Sequence, residues 1–187
     1  MDPSAYAYAK LRYARIRQAV YTVVREDAVV RQITRSPFRL ADVDGRALAA
    51  WERTWQSPHP NDSGGWNWRL VADEFRSDPA VLKVALWSGS VLCGLAFGRP
   101  SHRTKRGTRS ILSIHYMEGN PDPAHPLKGS VAALLVTTAE IYGRELGASS
   151  IRMVDALPGV IPVYLALGFA VVETRNGVIY CEKEIPR

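Results

Sequence analysis

The stretch from Lys128 to Ala156, "KGSVAALLVTTAEIYGRELGASSIRMVDA", restricts the fold more than any other. Val131, Leu134, Leu135, Ala139, Tyr142 and Leu146 recur at three- and four-residue steps, which is one face of a helix. Gly147 follows where a helix end favours positive φ, and "ASSIRMVDA" then reads as a short strand. A long helix that buries one face and feeds at once into a strand lies on a sheet. At its front, the unpaired N–H groups of the first turn and the positive end of the dipole form a seat for an anion. Lys128 brings a charge to that seat, Gly129 a close backbone approach and Ser130 a hydroxyl.

The remaining segments supply the sheet. After Pro37, "FRLADVD" reads as a strand, and Asp42 or Asp44 can cap a helix whose inner face is Leu48, Trp51 and Trp55. "QSPHPNDSGG" is a loop, and "WNWRLVADEFRSD" is a second helix ended by Pro79. "VLKVALW" and "VLCGLAFG" flank "SGS" as a β-hairpin, and "SILSIHYMEG" is a further strand. "LPGVIPVYLALG" is a short helix closed by Gly168, and "FAVVET" and "VIYCEKEI" pair across the turn at Asn176-Gly177. The order predicts a mixed α/β or α+β sheet with helices on its faces. Ahead of it, residues 3–24 form an amphipathic helix with Tyr6, Ala9, Tyr13, Ile16, Val20 and Val23 on one stripe. We expect this helix to dock on the body or on a second copy in a homodimer, as an arm of residues 1–36 before a domain of residues 37–187.

At 187 residues and 47% hydrophobic content the chain fits one globular unit. Charges interrupt the apolar residues of the first helix, and no apolar run is long enough to span a bilayer, so no membrane association and a cytoplasmic location are expected. Cys93 and Cys181 lack CxxC spacing, and His59, His102, His115 and His125 lack ligand spacing, so no metal is expected. The net charge of +6 is segregated. Residues 1–35 hold seven Lys/Arg against three acids, and "RPSHRTKRGTR", residues 99–109, holds five with no acid. Two such segments attract anions, nucleic acid included, although solvated surfaces carry the same pattern.

The order of elements resembles the GNAT superfamily of N-acetyltransferases over roughly residues 37–185. Tyr164-Leu165-Ala166-Leu167-Gly168-Phe169 matches the family's Tyr-x-x-x-Gly-Phe element, and "KGSVAALLVTTAEIYGRELGASSI" lines up with its pyrophosphate-loop helix. The family's loop reads Arg/Gln-x-x-Gly-x-Gly/Ala; here Pro126 and Val131 stand at the flanking positions and only the central Gly129 is kept, so the loop is degenerate. The resemblance implies a mixed, mostly antiparallel sheet flanked by helices, here with an extra N-terminal helix. It also implies acetyl-CoA as co-substrate, a diphosphate on the helix N-terminus, pantetheine along a splayed strand, and direct attack by a primary amine on the thioester. On this reading Lys128 and the amides of Gly129, Ser130 and Val131 hold the diphosphate, and the amide near Met117 is the oxyanion donor. Tyr164 protonates the departing thiolate.

Strand alternation puts His115 and Met117 on one face and Tyr116 and Glu118 on the other, so without a bulge only one of His115 and Glu118 faces substrate. Glu118 is the expected base, with water as the competing one. The segment around the two helices offers Trp55, His59, Asp62, Trp66 and Trp68, of which Trp55, Asp62 and Trp66 are expected to hold the acceptor by charge and ring faces. The acceptor is a small-molecule or protein amine. Two alternatives stand beside this reading: a toxin-like member that acetylates aminoacyl-tRNA through the basic segments, and a non-catalytic binding module with the same fold.

Overall fold

The computed structural model describes residues 3–27, 30–55, 64–101 and 110–186. In chain order the elements are α1 (Pro3–Glu26), α2 (Val30–Ile33), β1 (Arg39–Asp42), α3 (Gly45–Thr54), α4 (Trp68–Glu74), β2 (Leu82–Ser88), β3 (Val91–Pro100) and β4 (Ile111–Gly119). They continue as α5 (Val131–Glu145), β5 (Ser150–Met153), a 3₁₀ turn at Pro158–Val160, α6 (Ile161–Ala166), β6 (Ala170–Arg175) and β7 (Val178–Glu184). Seven strands form one sheet in the order β1-β2-β3-β4-β5-β7-β6. Every neighbouring pair is antiparallel except β4 and β5, which run parallel because α5 carries the chain back between them. The mixed, mostly antiparallel sheet with flanking helices and an additional N-terminal helix is the expected fold.

Local chemistry sets the joints. The Asp44 carboxylate accepts from the Ala47 amide and starts α3, and Asn67 caps α4 in the same way. Gly147 (φ 73°) ends α5, and Asn176 (φ 52°) with Gly177 (φ 81°) makes the tight turn between β6 and β7. The sheet buries both faces. α1 and α5 cover one, where Val24, Val84, Leu112, Leu134, Tyr142 and Ile151 meet; α3 and α4 cover the other, around Trp68, Phe75, Trp87, Leu95 and Phe97. Both cysteines are buried and free.

α1 extends two residues beyond the expected helix, and its inner face is rotated from the stripe read in the sequence. Val20, Tyr21 and Val24 are buried in the same core as α5, whereas Val23 is 48% exposed. The reason is Arg17, which the sequence pattern places among the solvated cations and which is 3% exposed. Its Nε and Nη2 donate to the two oxygens of Asp42 at 2.8 and 2.9 Å, and its Nη1 donates to the Val81 carbonyl at 3.1 Å. Tyr21 donates its hydroxyl to the same carboxylate at 3.0 Å. A guanidinium out of water needs this bidentate partner. Asp42→Ala, which strands the Arg17 charge, is therefore expected to lower stability by about 2 kcal/mol in urea titrations. Asp42→Asn, which keeps one acceptor, should cost less.

Candidate functional site

A gap opens in the sheet beside β4. β5 pairs with β4 only from Ile111 to Ile114 and ends at Met153, while β4 runs on to Gly119 paired with β3 alone. The Asn120 amide donates to the Cys93 carbonyl at 2.9 Å, which fixes the ladder's phase: Glu118 and Tyr116 bond toward β3, and the N–H and C=O of Met117 and Gly119 face the open edge. The Met117 amide therefore points into the gap.

The start of α5 lies across the same gap. Residues 121–130 approach it through tight turns in which the Lys128 amide donates to the His125 carbonyl and the Ser130 amide to the Leu127 carbonyl. Asn120 holds this segment from inside, donating to the Leu92 carbonyl at 2.8 Å and accepting from the Asp122 amide. His125, buried, accepts from the Leu127 amide, and burial followed by the nearby Lys128 lowers its pKa. Gly129 adopts φ 80°, with nothing within 4 Å of where a Cβ would stand, so its backbone is open to a ligand. The first helical amides, from Val131 onward, precede the first i→i−4 bond, which Leu134 makes to Ser130, and are left for an anion. The side chain of Val131 turns into the sheet. A Cβ on Gly94 would lie 2.6 Å from Val131 Cγ1, and one on Gly119 would lie 3.6 Å from it, so two strand glycines make room for the valine and keep its bulk off the seat.

Between this seat and α6 is a cavity of about 310 Å³ lined by Met117, Gly119, Lys128, Gly129, Val131 and Tyr164, among others. A second, of about 30 Å³, is lined by Trp66, His115, Met117, Asp155, Leu157 and Tyr164, with further apolar residues. Met117 and Tyr164 belong to both and mark where the two meet. The Tyr164 ring is 7% exposed and packs on Phe169 at 5.8 Å, which explains the Gly-Phe that follows it: Gly168 (φ 86°) ends α6 so that Phe169 folds back beneath the phenol. Its hydroxyl has no hydrogen-bond partner among the described residues, and burial raises its pKa to about 12.

His115 reaches the smaller cavity through a bulge. Phe97 pairs with Tyr116 and Gly98 with Ile114, so His115 has no partner on β3 and the alternation of β4 reverses there. Met117 consequently joins Leu112 and Ile114 on the α5 face, and His115 and Tyr116 both pack on Phe75, at 5.7 and 6.1 Å, on the α4 face. This corrects the strict alternation expected from the sequence. Burial, then the Arg99 charge, lowers the His115 pKa, so the imidazole is neutral at pH 7. Asp155, an exposed residue in the left-handed region at φ 55°, is the acid on the smaller cavity's wall.

Three expected site residues are engaged elsewhere, and a fourth lies outside the described residues. Trp55 is 7% exposed in the core under α3, its Nε1 donating to the Leu92 carbonyl at 3.3 Å, so it is a packing residue. Ser130 donates its hydroxyl to the Ile33 carbonyl at 3.2 Å and its amide to Leu127, which leaves neither donor for a phosphate. Glu118 is 3% exposed and turned toward α4: Oε1 accepts from the Gly65 amide at 2.7 Å and Oε2 from Trp68 Nε1 at 2.6 Å. Burial lifts its pKa to about 7 against these donors and the Trp66 amide. The expected base thus has both carboxylate oxygens engaged by protein donors, although the residue borders the larger cavity. Asp62, His59 and the basic run 102–109 lie outside the described residues, and of the cations in residues 1–35 Arg17 is taken up by Asp42. Among the described residues no three His, Cys, Asp or Glu side chains converge as a metal site, and no helix is long and apolar enough to cross a membrane.

No family model and no curated protein matches the sequence. Solved structures do match the fold. The ribosomal-protein-S18-alanine N-acetyltransferase from Escherichia coli superposes with a TM-score of 0.57 at 15% identity, over 81% of this chain and 96% of that one. A GNAT-family acetyltransferase from Listeria monocytogenes gives 0.52 at 16% identity, over 79% and 94%. Arabidopsis thaliana Naa50, solved with the bisubstrate analogue CoA-Ac-MVNAL, gives 0.52 at 14% identity, over 78% and 97%. The chain has the GNAT acetyltransferase fold.

Proposed function

We propose that the chain is an acetyl-CoA-dependent N-acetyltransferase that moves the acetyl group to a primary amine by direct attack. The observation that carries this reading is Tyr164, whose phenol stands where the larger and smaller cavities meet. The larger cavity fits the donor: an open β4 edge for an extended amide chain, the amides from Val131 onward for a diphosphate, and exposed Lys128 to neutralise it. When bound, acetyl-CoA supplies a thioester carbonyl to be attacked and a thiolate to leave.

The residues then divide the work. The Met117 amide, directed into the gap, is the oxyanion donor. Tyr164, kept protonated by burial, gives its proton to the thiolate. His115, neutral and on the acceptor side, takes the proton that the amine loses, in place of Glu118. Trp66 presents a ring to the acceptor, and Asp155 a carboxylate that accepts from the neutral amine's N–H. A small acceptor cavity suits an unhindered primary amine.

The reading is tested by binding and by transfer. Acetyl-CoA at a hundredfold its Kd should add about 2.7 kcal/mol of stability, seen as a rise in Tm, and thiol release should require an amine such as 2-phenylethylamine. Gly129→Val places a β-branched residue at positive φ in the open seat and should remove the rise in Tm. Binding without transfer to any primary amine would leave a non-catalytic module.

A further inference from the structure

A buried acid normally needs a reason, and Glu118 has one in the segment that leads into α4. Its carboxylate collects the Gly65 amide, the Trp68 indole N–H and the Trp66 amide, all from the one short stretch of residues 65–68. Residues 64–66 carry no regular secondary structure of their own, while Asn67 is already tied to α4, its carbonyl accepting from the Val71 amide and its side chain capping the helix. Trp66 lies between two of the anchored residues. Its ring meets Tyr116 edge-on at 5.7 Å and Trp68 at 6.2 Å, and it lines the smaller cavity, as does Asp155. We infer that Glu118 is a positioning residue for the acceptor: from β4 it grips residues 65–68 and thereby sets Trp66 as one wall of the amine's cavity. The inference rests on the acetyltransferase reading for what the cavity receives.

The physical logic separates this role from that of a base. A base must reach the amine's proton directly or through one water. Both Glu118 oxygens instead accept from protein donors, and the residue is 3% exposed. Two bonds of 2.6–2.7 Å to neighbouring residues act as a clamp, with a further amide bond between them. Glu118→Gln keeps the shape but offers one oxygen and an NH2 group, so at least one of the three donors loses its acceptor.

The test follows amide exchange and kinetics together. In Glu118→Gln, hydrogen exchange at residues 64–68 should speed up at least about tenfold while α5 is unchanged. The KM for 2-phenylethylamine should rise about tenfold, kcat and the acetyl-CoA dissociation constant should move less than about twofold, and the pH profile of kcat should keep its shape. In a Trp66→Ala background the same substitution should leave the amine KM where it is, since the clamp acts through the ring. A fall in kcat of about a hundredfold with loss of the rising limb near pH 7 would overturn the inference in favour of Glu118 as the base. Equal effects of Glu118→Gln with and without Trp66 would also overturn it. If the wild type binds acetyl-CoA but acetylates no amine, the functional reading fails by itself, and unchanged exchange at residues 64–68 would then sink the clamp as well.

Discussion

Tyr164→Phe is expected to lower turnover at least about tenfold while leaving the acetyl-CoA dissociation constant and the Tm nearly fixed. The substitution keeps the ring on Phe169 and removes one O–H that has no other partner among the described residues, so it takes away a proton and little packing. General acids typically contribute about 10²–10⁴ in rate, and a thiol that ionises near pH 8.5 leaves easily enough to favour the lower end. The deficit should shrink toward acidic pH, where solvent supplies the proton. With the phenol pKa raised to about 12, the wild-type group stays protonated through the neutral range, so Tyr164 itself should add no limb to the pH profile of the free enzyme between pH 6 and 9. Full activity of the variant with an amine that the wild type acetylates would make Tyr164 a packing residue.

The second large effect is on stability. Glu118 ordinarily ionises near pH 4.5, and in the folded chain burial moves this to about 7. Between those values the native state holds a proton that the unfolded state has released. The contribution is therefore complete below about pH 4.5 and is lost as pH rises toward 7, by about 3 kcal/mol. Urea titrations of the wild type and Glu118→Gln between pH 4.5 and 8 isolate this residue, because the other titrating groups are common to both. The wild type should lose about 3 kcal/mol relative to the variant across the window. Parallel curves would mean that the carboxylate ionises in the fold as it does in water.

The sequence made the fold legible because its helices and strands announce themselves independently of one another. The stripe in α5, the glycines at 147 and 168 and the Asn-Gly turn each depend on a few neighbouring residues, and together they specify the element order. The open helix start that we propose for the donor was legible for the same reason, since a helix start is local. What escaped was settled by distant partners. Nothing near Arg17 in the sequence says that Asp42 waits for it, so an arginine at a helical position reads as surface. The bulge at His115 depends on how β3 and β4 slip past each other, and one residue of slip moved Met117 to the α5 face. Trp55 and Trp66 look alike in the sequence; only the packing buries the first under α3 and leaves the second at a cavity wall. Gly94 and Gly119 carried a readable signal, glycine inside a strand where something approaches closely, and that something is Val131.

The bond from the Ser130 hydroxyl to the Ile33 carbonyl joins points 97 residues apart. Ile33 ends the short helix that follows α1, and α1 is bolted to β1 through Arg17 and Asp42. The N-terminal segment therefore meets the sheet's long helix twice, by the direct packing of α1 on α5 and by the bond at Ile33, so a stretch that reads in the sequence as a separate arm is built into the same core.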